Sequence, residues 1–182
     1  LTRYVGKSIV WFDTSANKKK SQKRTKGGSY INEEEKRIIL EILDDLKSTG
    51  ELKGLDIGII TGYSGQKELL RKSIKATGLD KIASKIDINT LDAFQGREND
   101  IIIYSTVRTR DSIGFQKEKE RVNVAFSSAK KLLIVCGDKN FFYNFDDQDN
   151  KFVEIIDYIS EEEECEIIQC DGGKLFERES NS

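Results

Sequence analysis

Four short runs of consecutive apolar residues, rich in β-branched types, and one short alternating segment recur along this chain, and helix-patterned stretches separate most of them. They are SIVWFD at 8–13, DIGIITG at 56–62, the segment 86–89, DIIIYST at 100–106 and KLLIVCG at 131–137. A strand that is apolar at every position must be covered on both faces. Such strands joined by helices form a parallel sheet with helices above and below, which is the doubly wound α/β class. Sheets of this kind bind ligands beyond the carboxyl ends of their strands, so the polar segments after each run are where chemistry is expected.

The helical stretches are legible from their periodicity and ends. In SYINEEEKRIILEILDDLKSTG, Asn32 can cap, and Glu35 stands three residues on, as a capping box requires. Ile38, Ile39, Ile42, Leu43 and Leu46 share one apolar face, and Gly50 closes the helix. A second helix is expected over 66–77 before Gly78, and a third over 117–130, leading directly into the strand at 131. Beyond Phe141 a helical pattern, the EEEE run at 161–164 and an apolar stretch at 165–170 read as a closing helix and an edge strand, with a frayed tail from Gly172. The segment 18–26, with six basic residues in nine, reads as a solvated loop, with contact to a nucleic-acid backbone as its alternative.

At 182 residues the chain is expected to be a single domain, with its core over about 5–171. It contains no His, Pro or Met. Without His it cannot by itself form a Ser-His-Asp or Cys-His pair or an imidazole metal ligand, which excludes most familiar hydrolase sites. A net charge of −2 gives no overall basic field, so contact with a polyanion must be local. Cys136, Cys165 and Cys170 show no paired spacing and read as reduced thiols of an intracellular protein, cytoplasmic or else nuclear. No apolar run approaches membrane-spanning length, no metal site is expected, and the chain is expected to be monomeric. Starting at Leu1, it reads as a piece of a longer protein. Gly6-Lys7-Ser8 has the look of the end of a phosphate-binding loop, but Leu1 stands where the first Gly belongs and a strand follows instead of a helix.

Three polar segments carry the candidate chemistry. The first places Thr61, Tyr63 and Gln66 beyond a buried strand, with Gly62 and Gly65 permitting close backbone approach and Ser64 available as a cap. A hydroxyl, an aromatic face and an amide suit a sugar-phosphate chain and a stacked base; a capped turn is the alternative. The second gathers Thr90, Asp92, Gln95, Arg97 and Glu98 around Gly96, with groups suited to phosphate and to ribose hydroxyls, or to a salt-bridged surface loop. The third, RVNVAFSSAKK, turns Val122, Ala125, Phe126 and Ala129 to the core and Asn123, Ser127 and Lys130 to the opposite face, toward the same strand-end edge.

In this order the segments resemble the second RecA-like domain of superfamily 1 helicases of the nonsense-mediated-decay type, over about 5–139. The resemblance rests on Thr61-Gly62-Tyr63-Ser64-Gly65-Gln66, on Thr90-Leu91-Asp92-Ala93-Phe94-Gln95-Gly96-Arg97-Glu98-Asn99-Asp100, and on Asn123-Val124-Ala125-Phe126-Ser127-Ser128-Ala129-Lys130. SYINEEE and Ser105-Thr106-Val107-Arg108 support it.

The resemblance implies a three-layer RecA-like domain of the P-loop NTPase type that forms one wall of an ATP cleft. ATP and Mg2+ would be held mainly by a preceding RecA-like domain of the same protein, and single-stranded DNA or RNA would be the partner. By the same resemblance Gly96, Arg97 and Glu98 face the nucleotide, with Glu98 on its ribose, and Gln95 and Gly96 link nucleotide state to strand grip. Thr61, Tyr63, Gln66, Thr90 and Asn123 would belong to the nucleic-acid path, with Asp92, Arg108 and Lys130 in support. Two positions depart from the family pattern. Gly62 replaces a Pro and loosens the turn. Ser128 stands where the family carries its arginine finger, a group worth about 10³ to 10⁵ in phosphoryl-transfer rate. Lys130 would point about 200° around the helix from it. A degenerate nucleic-acid-binding or scaffolding module is the competing reading, and the isolated chain is expected to be inactive.

Overall fold

The computed structural model describes residues 1–114 and 119–177, with backbone alone at 119–121. Six strands form one all-parallel sheet in the order β5-β4-β6-β7-β1-β8. They are β1 (Ile9–Asp13), β4 (Asp56–Thr61), β5 (Lys85–Thr90), β6 (Asn99–Ser105), β7 (Ala129–Gly137) and β8 (Cys165–Gln169). Two two-residue strands, β2 (Lys23–Arg24) and β3 (Tyr30–Ile31), pair antiparallel as a separate hairpin. Helices α1 (Glu33–Ser48) and α2 (Ser64–Thr77) cover one face; α3 (Leu91–Phe94), α4 (Lys119–Ser127), α5 (Lys139–Asn144) and α6 (Lys151–Glu161) cover the other.

Strand alternation builds the two cores. Val10, Ile57, Ile59, Ile101, Ile103, Leu132 and Ile134 point to the α1–α2 side, while Trp11, Ile60, Ile102, Tyr104, Leu133 and Val135 point to the other. Both sets are buried, which is why these strands read as continuous apolar runs. The expected parallel sheet, closing helix and edge strand are all present.

The local helix signals hold. The Asn32 side chain accepts from Glu35 N at 3.0 Å, and Gly50 and Gly78 adopt φ +78 and +73 just past α1 and α2. Several expectations are corrected. The basic segment is not simply a loop: it contains β2, and its hairpin docks on α2. Tyr63, not Ser64, occupies the cap position of α2, without a side-chain capping bond. Helix α4 ends at Ser127 and β7 begins at Ala129, so Lys130 lies exposed on a strand and shares no helical face with Asn123 and Ser127. The Ser128 hydroxyl donates back to the Val124 carbonyl, while the Ser128 carbonyl accepts from Asn99 N at 3.1 Å and is drawn into the sheet. The start of α4 expected at Lys117 falls outside the described residues. Lastly, the tail does not fray at Gly172: Leu175 and Phe176 pack on the core, with the Arg3 guanidinium 4.2 Å from the Phe176 ring centre.

Candidate functional site at two edges of the sheet

The parallel register assigns the polar segments to two places. Thr90, Thr61 and Ser105 lie side by side, with Cys136 next in the row, at the carboxyl edge. Asn99 pairs with Ala129 at the opposite, amino edge. The motif from Thr90 to Asp100 therefore crosses one face of the sheet once, from the carboxyl to the amino edge, and its two ends are separated by about 20 Å, six steps of a strand. The expected single strand-end site is in fact two surfaces.

At the carboxyl edge a buried network joins α1, α2, β6 and the turn after it. Gln66 Oε1 accepts from Asn32 N (2.8 Å), and Gln66 Nε2 donates to Asn32 O and to Ser105 Oγ, both at 3.1 Å. Ser105 Oγ in turn donates to Glu35 Oε1 at 2.8 Å. Val107 N donates to both Glu35 oxygens, at 2.9 and 3.0 Å. Val107 has φ +67, and Arg108 N closes back on Thr106 O at 2.7 Å, so the chain makes a γ-turn. For a β-branched residue this conformation costs about 1–3 kcal/mol and persists only where surrounding contacts hold it. Burial pushes the Glu35 carboxyl up to about 8, against the lowering effect of the bonds it accepts from Val107, Ser105 and Thr106. Glu35 thus does only half of what a capping box would: its backbone is capped by Asn32, and its carboxylate turns inward to hold the turn at 105–108.

That turn sets Arg108, which is 5 % exposed. Its guanidinium lies 4.1 Å from the Tyr30 ring centre and 6.0 Å from that of Tyr63. Nε donates to Gln22 Oε1 at 3.1 Å and a terminal nitrogen to Arg110 O at 3.3 Å. Among the described residues no carboxylate forms an ion pair with it.

The geometry changes what the first segment can do directly. Thr61 and Gln66 are 0 % exposed and Tyr63 3 %. The Thr61 hydroxyl has no hydrogen-bond partner, both ends of the Gln66 amide are engaged, and Tyr63 packs edge-on against Tyr30 with centroids 5.5 Å apart. The ring face offered to a base is covered. Gly65 serves the hairpin and not a ligand: a Cβ there would stand 3.0 Å from Thr25 Cγ2 and 3.1 Å from Tyr30 O. Thr90 is half-buried at the same edge.

On the other surface, the Phe94 ring of α3 fills the space above Gly58, where a Cβ would come within 2.5 Å of Phe94 Cζ. Beyond it Gln95, Gly96, Arg97 and Glu98 are exposed, as is Asp92 on α3. Gly96 has φ +78 with open space around it, so its backbone conformation, not crowding, calls for glycine. Arg97 is paired with Asp87 at 2.7 Å. Asn123 and Ser127 are exposed on α4, and Ser127 Oγ donates to Asn123 O at 2.6 Å. The Asn99–Ser128 bond ties the second segment to the end of the third.

The residues sequence reasoning undervalued are Glu35, Gln22 and Tyr30. SYINEEE pointed to the first and last of these. Nothing local singled out Gln22, whose partners lie at Arg108 and Thr109. Among the described residues no cluster of His, Cys, Asp or Glu could hold a metal ion, and no helix is long and apolar enough to cross a membrane. Cys136, Cys165 and Cys170 are free and buried.

Helices on both faces of a six-stranded parallel sheet, with polar segments at opposite strand edges, define a RecA-like domain. Residues 2–140 match the AAA_12 family model, described as an AAA domain, and the chain belongs to that family as the second RecA-like domain of a superfamily 1 helicase of the nonsense-mediated-decay type. It is 37 % identical over 144 residues to an uncharacterized ATP-dependent helicase, MJ0104, of Methanocaldococcus jannaschii, covering 78 % of this chain and 20 % of that protein. It is 37 % identical over 134 residues to Helicase SEN1 of Saccharomyces cerevisiae (70 % and 6 %). It is also 37 % identical over 115 residues to the regulator of nonsense transcripts 1 homolog of Neurospora crassa (61 % and 10 %). The chain spans a fifth or less of the length of these relatives. A solved structure, the C-terminal domain of a possible DNA helicase from Lactobacillus plantarum, aligns with a TM-score of 0.47 at 15 % identity, covering 72 % of this chain and 73 % of that one.

Proposed function

We propose that this domain forms one wall of the ATP cleft of an ATP-driven helicase with its amino-edge surface, and carries single-stranded nucleic acid along its carboxyl edge. The observation that carries the reading is the separation of the two surfaces on one rigid sheet. Gly96 and Glu98 stand exposed near the start of β6; Arg108 is set by the γ-turn just beyond its end.

The exposed Glu98 carboxylate suits the hydroxyls of a ribose, and Gly96 leaves the backbone beside it uncovered. Arg97 is already committed to Asp87 and orients the loop. Nothing among the described residues fits Mg2+, so no step is drawn through the ion on this chain. Arg108, a buried cation without a carboxylate, supplies positive potential at the strand-bearing edge. Strand β6 joins the two surfaces directly: Asn99 is tied to Ser128 at one end, and Ser105 to Glu35 at the other. A rigid-body shift at the nucleotide side thus reaches the 105–108 turn through hydrogen-bonded backbone.

The test is the Glu98→Gln variant of the full-length protein. The expected result is a rise in KM for ATP of about 3- to 10-fold, with strand affinity unchanged. A weakened strand affinity with unaltered KM would overturn the assignment of surfaces. A second reading, a degenerate binding module, is favoured by one observation: the Ser128 hydroxyl is spent on the Val124 carbonyl and carries no charge. It predicts strand binding that is indifferent to ATP.

A further inference from the structure

Of the residues that the motif logic assigns to the nucleic-acid path, Tyr63 and Gln66 are interior, and what packs over them is the basic hairpin, whereas Asn123 is exposed on α4, away from it. Tyr30 packs on Tyr63, the Gly65 N–H donates to Ser29 Oγ at 3.0 Å, and the Asn32 N–H that follows the hairpin donates to Gln66. We propose that the β2–β3 hairpin, with the segment 18–22 leading into it, is the surface by which this edge grips the phosphodiester backbone of a single strand. The inference rests on the reading that a strand runs along the carboxyl edge, and it names the residues that touch it.

Charge supports it. Lys18, Lys23, Arg24 and Lys26 are exposed and form no ion pair among the described residues, while Lys19 leans toward Glu34. Nearby acids offset this field only in part: Glu33 pairs with Lys36, and Glu34 and Glu41 share Arg37, so with Asp44 four acids line the adjoining groove against Lys18, Lys19, Lys23, Lys36, Arg37 and Lys47. The chain as a whole is slightly acidic, at −2, so four exposed cations within nine residues form a local positive feature.

Anchoring supports it as well. Lys20 pairs with Asp138 at 2.6 Å, and its carbonyl accepts from Asn32 Nδ2 at 2.7 Å. Buried Gln22 accepts from Thr109 N at 2.8 Å and from Arg108. The Thr25 N–H donates to Ser29 O at 2.8 Å across the turn. The cations are therefore displayed from a fixed scaffold, joined through Gln22 to the γ-turn that Glu35 holds. A polyanion fits better than a protein groove: the exposed large apolar residues of the described chain are Val5, Ile82, Tyr143 and Tyr158, none of them on the hairpin.

The experiment is fluorescence anisotropy on the full-length protein with labelled single-stranded DNA and RNA, over about 50 to 300 mM KCl. It compares wild type with Lys23→Ala/Arg24→Ala/Lys26→Ala. Each neutralised phosphate on a single strand contributes about −0.7 to the slope of log K against log salt. Loss of three contacts is expected to flatten the slope by about 2 and to weaken binding at low salt at least tenfold, with KM for ATP unchanged. The charge-preserving Lys23→Arg/Lys26→Arg variant is expected to bind as wild type, which separates charge from folding. If wild type binds with a steep slope and the triple variant matches it, the hairpin is not the grip, although the edge reading stands. If wild type binds no strand at any salt, both fall. If the triple variant loses polyglutamate but keeps the oligonucleotide, the surface is for an acidic protein and the proposal is overturned.

Discussion

Glu35 shows how a residue with a local role can be diverted to a distant one. Its carboxylate is wholly buried, faces the Ser105 hydroxyl and the Val107 amide, and holds a strained γ-turn whose next residue is Arg108. Burial raises its folded pKa to about 8, well above the ordinary value of 4.5 it has when unfolded. The folded state therefore binds the proton more tightly. The stabilisation from this group is full below about pH 4.5 and is lost as pH rises through about 8. A tenfold difference in proton affinity between the folded and unfolded chain is worth about 1.4 kcal/mol. The expected outcome is a urea midpoint that falls from pH 5 to pH 8 in the wild type. It should fall less steeply in Glu35→Gln, which has no proton to lose there. Parallel slopes would show that Glu35 titrates as an ordinary carboxylate.

Among the described α-helices, α3 is the shortest, and its four residues present the exposed run Gln95 to Glu98. Its position is set by Phe94 entering the space left by Gly58 on β4, bounded also by Ile102 Cδ1 and Asn99 Oδ1 at 2.8 and 2.9 Å from where a Cβ would be. Gly58→Ala is expected to destabilise the domain by about 1–3 kcal/mol through overpacking. Phe94→Leu in the same chain should recover part of that loss, a coupling read by a double-mutant cycle in denaturant. Additive effects would show that the two do not share this space.

The strands, α1 and the end of α2 are legible in the sequence because their signals are local: continuous Ile and Val runs, Asn32 before the apolar stripe of α1 and Gly50 after it, and Gly78 after α2. The hairpin is not, because two-residue strands have no periodicity and depend on Tyr63, Arg108 and Asp138, far away in the chain. The early end of α4 was hidden for the same reason, since Asn99 draws Ser128 into the sheet from 29 residues upstream. The site residues were legible as types in order, but not as buried or exposed. Tyr63 and Gln66 read as surface groups until the hairpin that packs on them is seen.

For the whole molecule, the two surfaces proposed on one sheet would make this domain a coupling element between nucleotide and strand. The described residues contain no phosphate loop and no metal cluster, and Ser128 places a neutral, inward-turned hydroxyl where the family carries a fixed charge. The 182-residue chain alone is therefore expected not to hydrolyse ATP and to bind it no tighter than high micromolar by calorimetry. In the full-length protein, Ser128→Arg is expected to raise strand-stimulated kcat by at least tenfold, a fraction of the 10³ to 10⁵ that such a charge is worth when ideally placed. The fraction is small because the Ser128 backbone is bound to Asn99 and the side chain must reach outward from a buried position. An unchanged kcat with intact folding would show that the charge comes from another part of the protein. Low-micromolar ATP binding by the isolated chain would contradict the shared cleft itself, because Glu98 and the Gly96 backbone are too few contacts to hold a nucleotide that tightly alone.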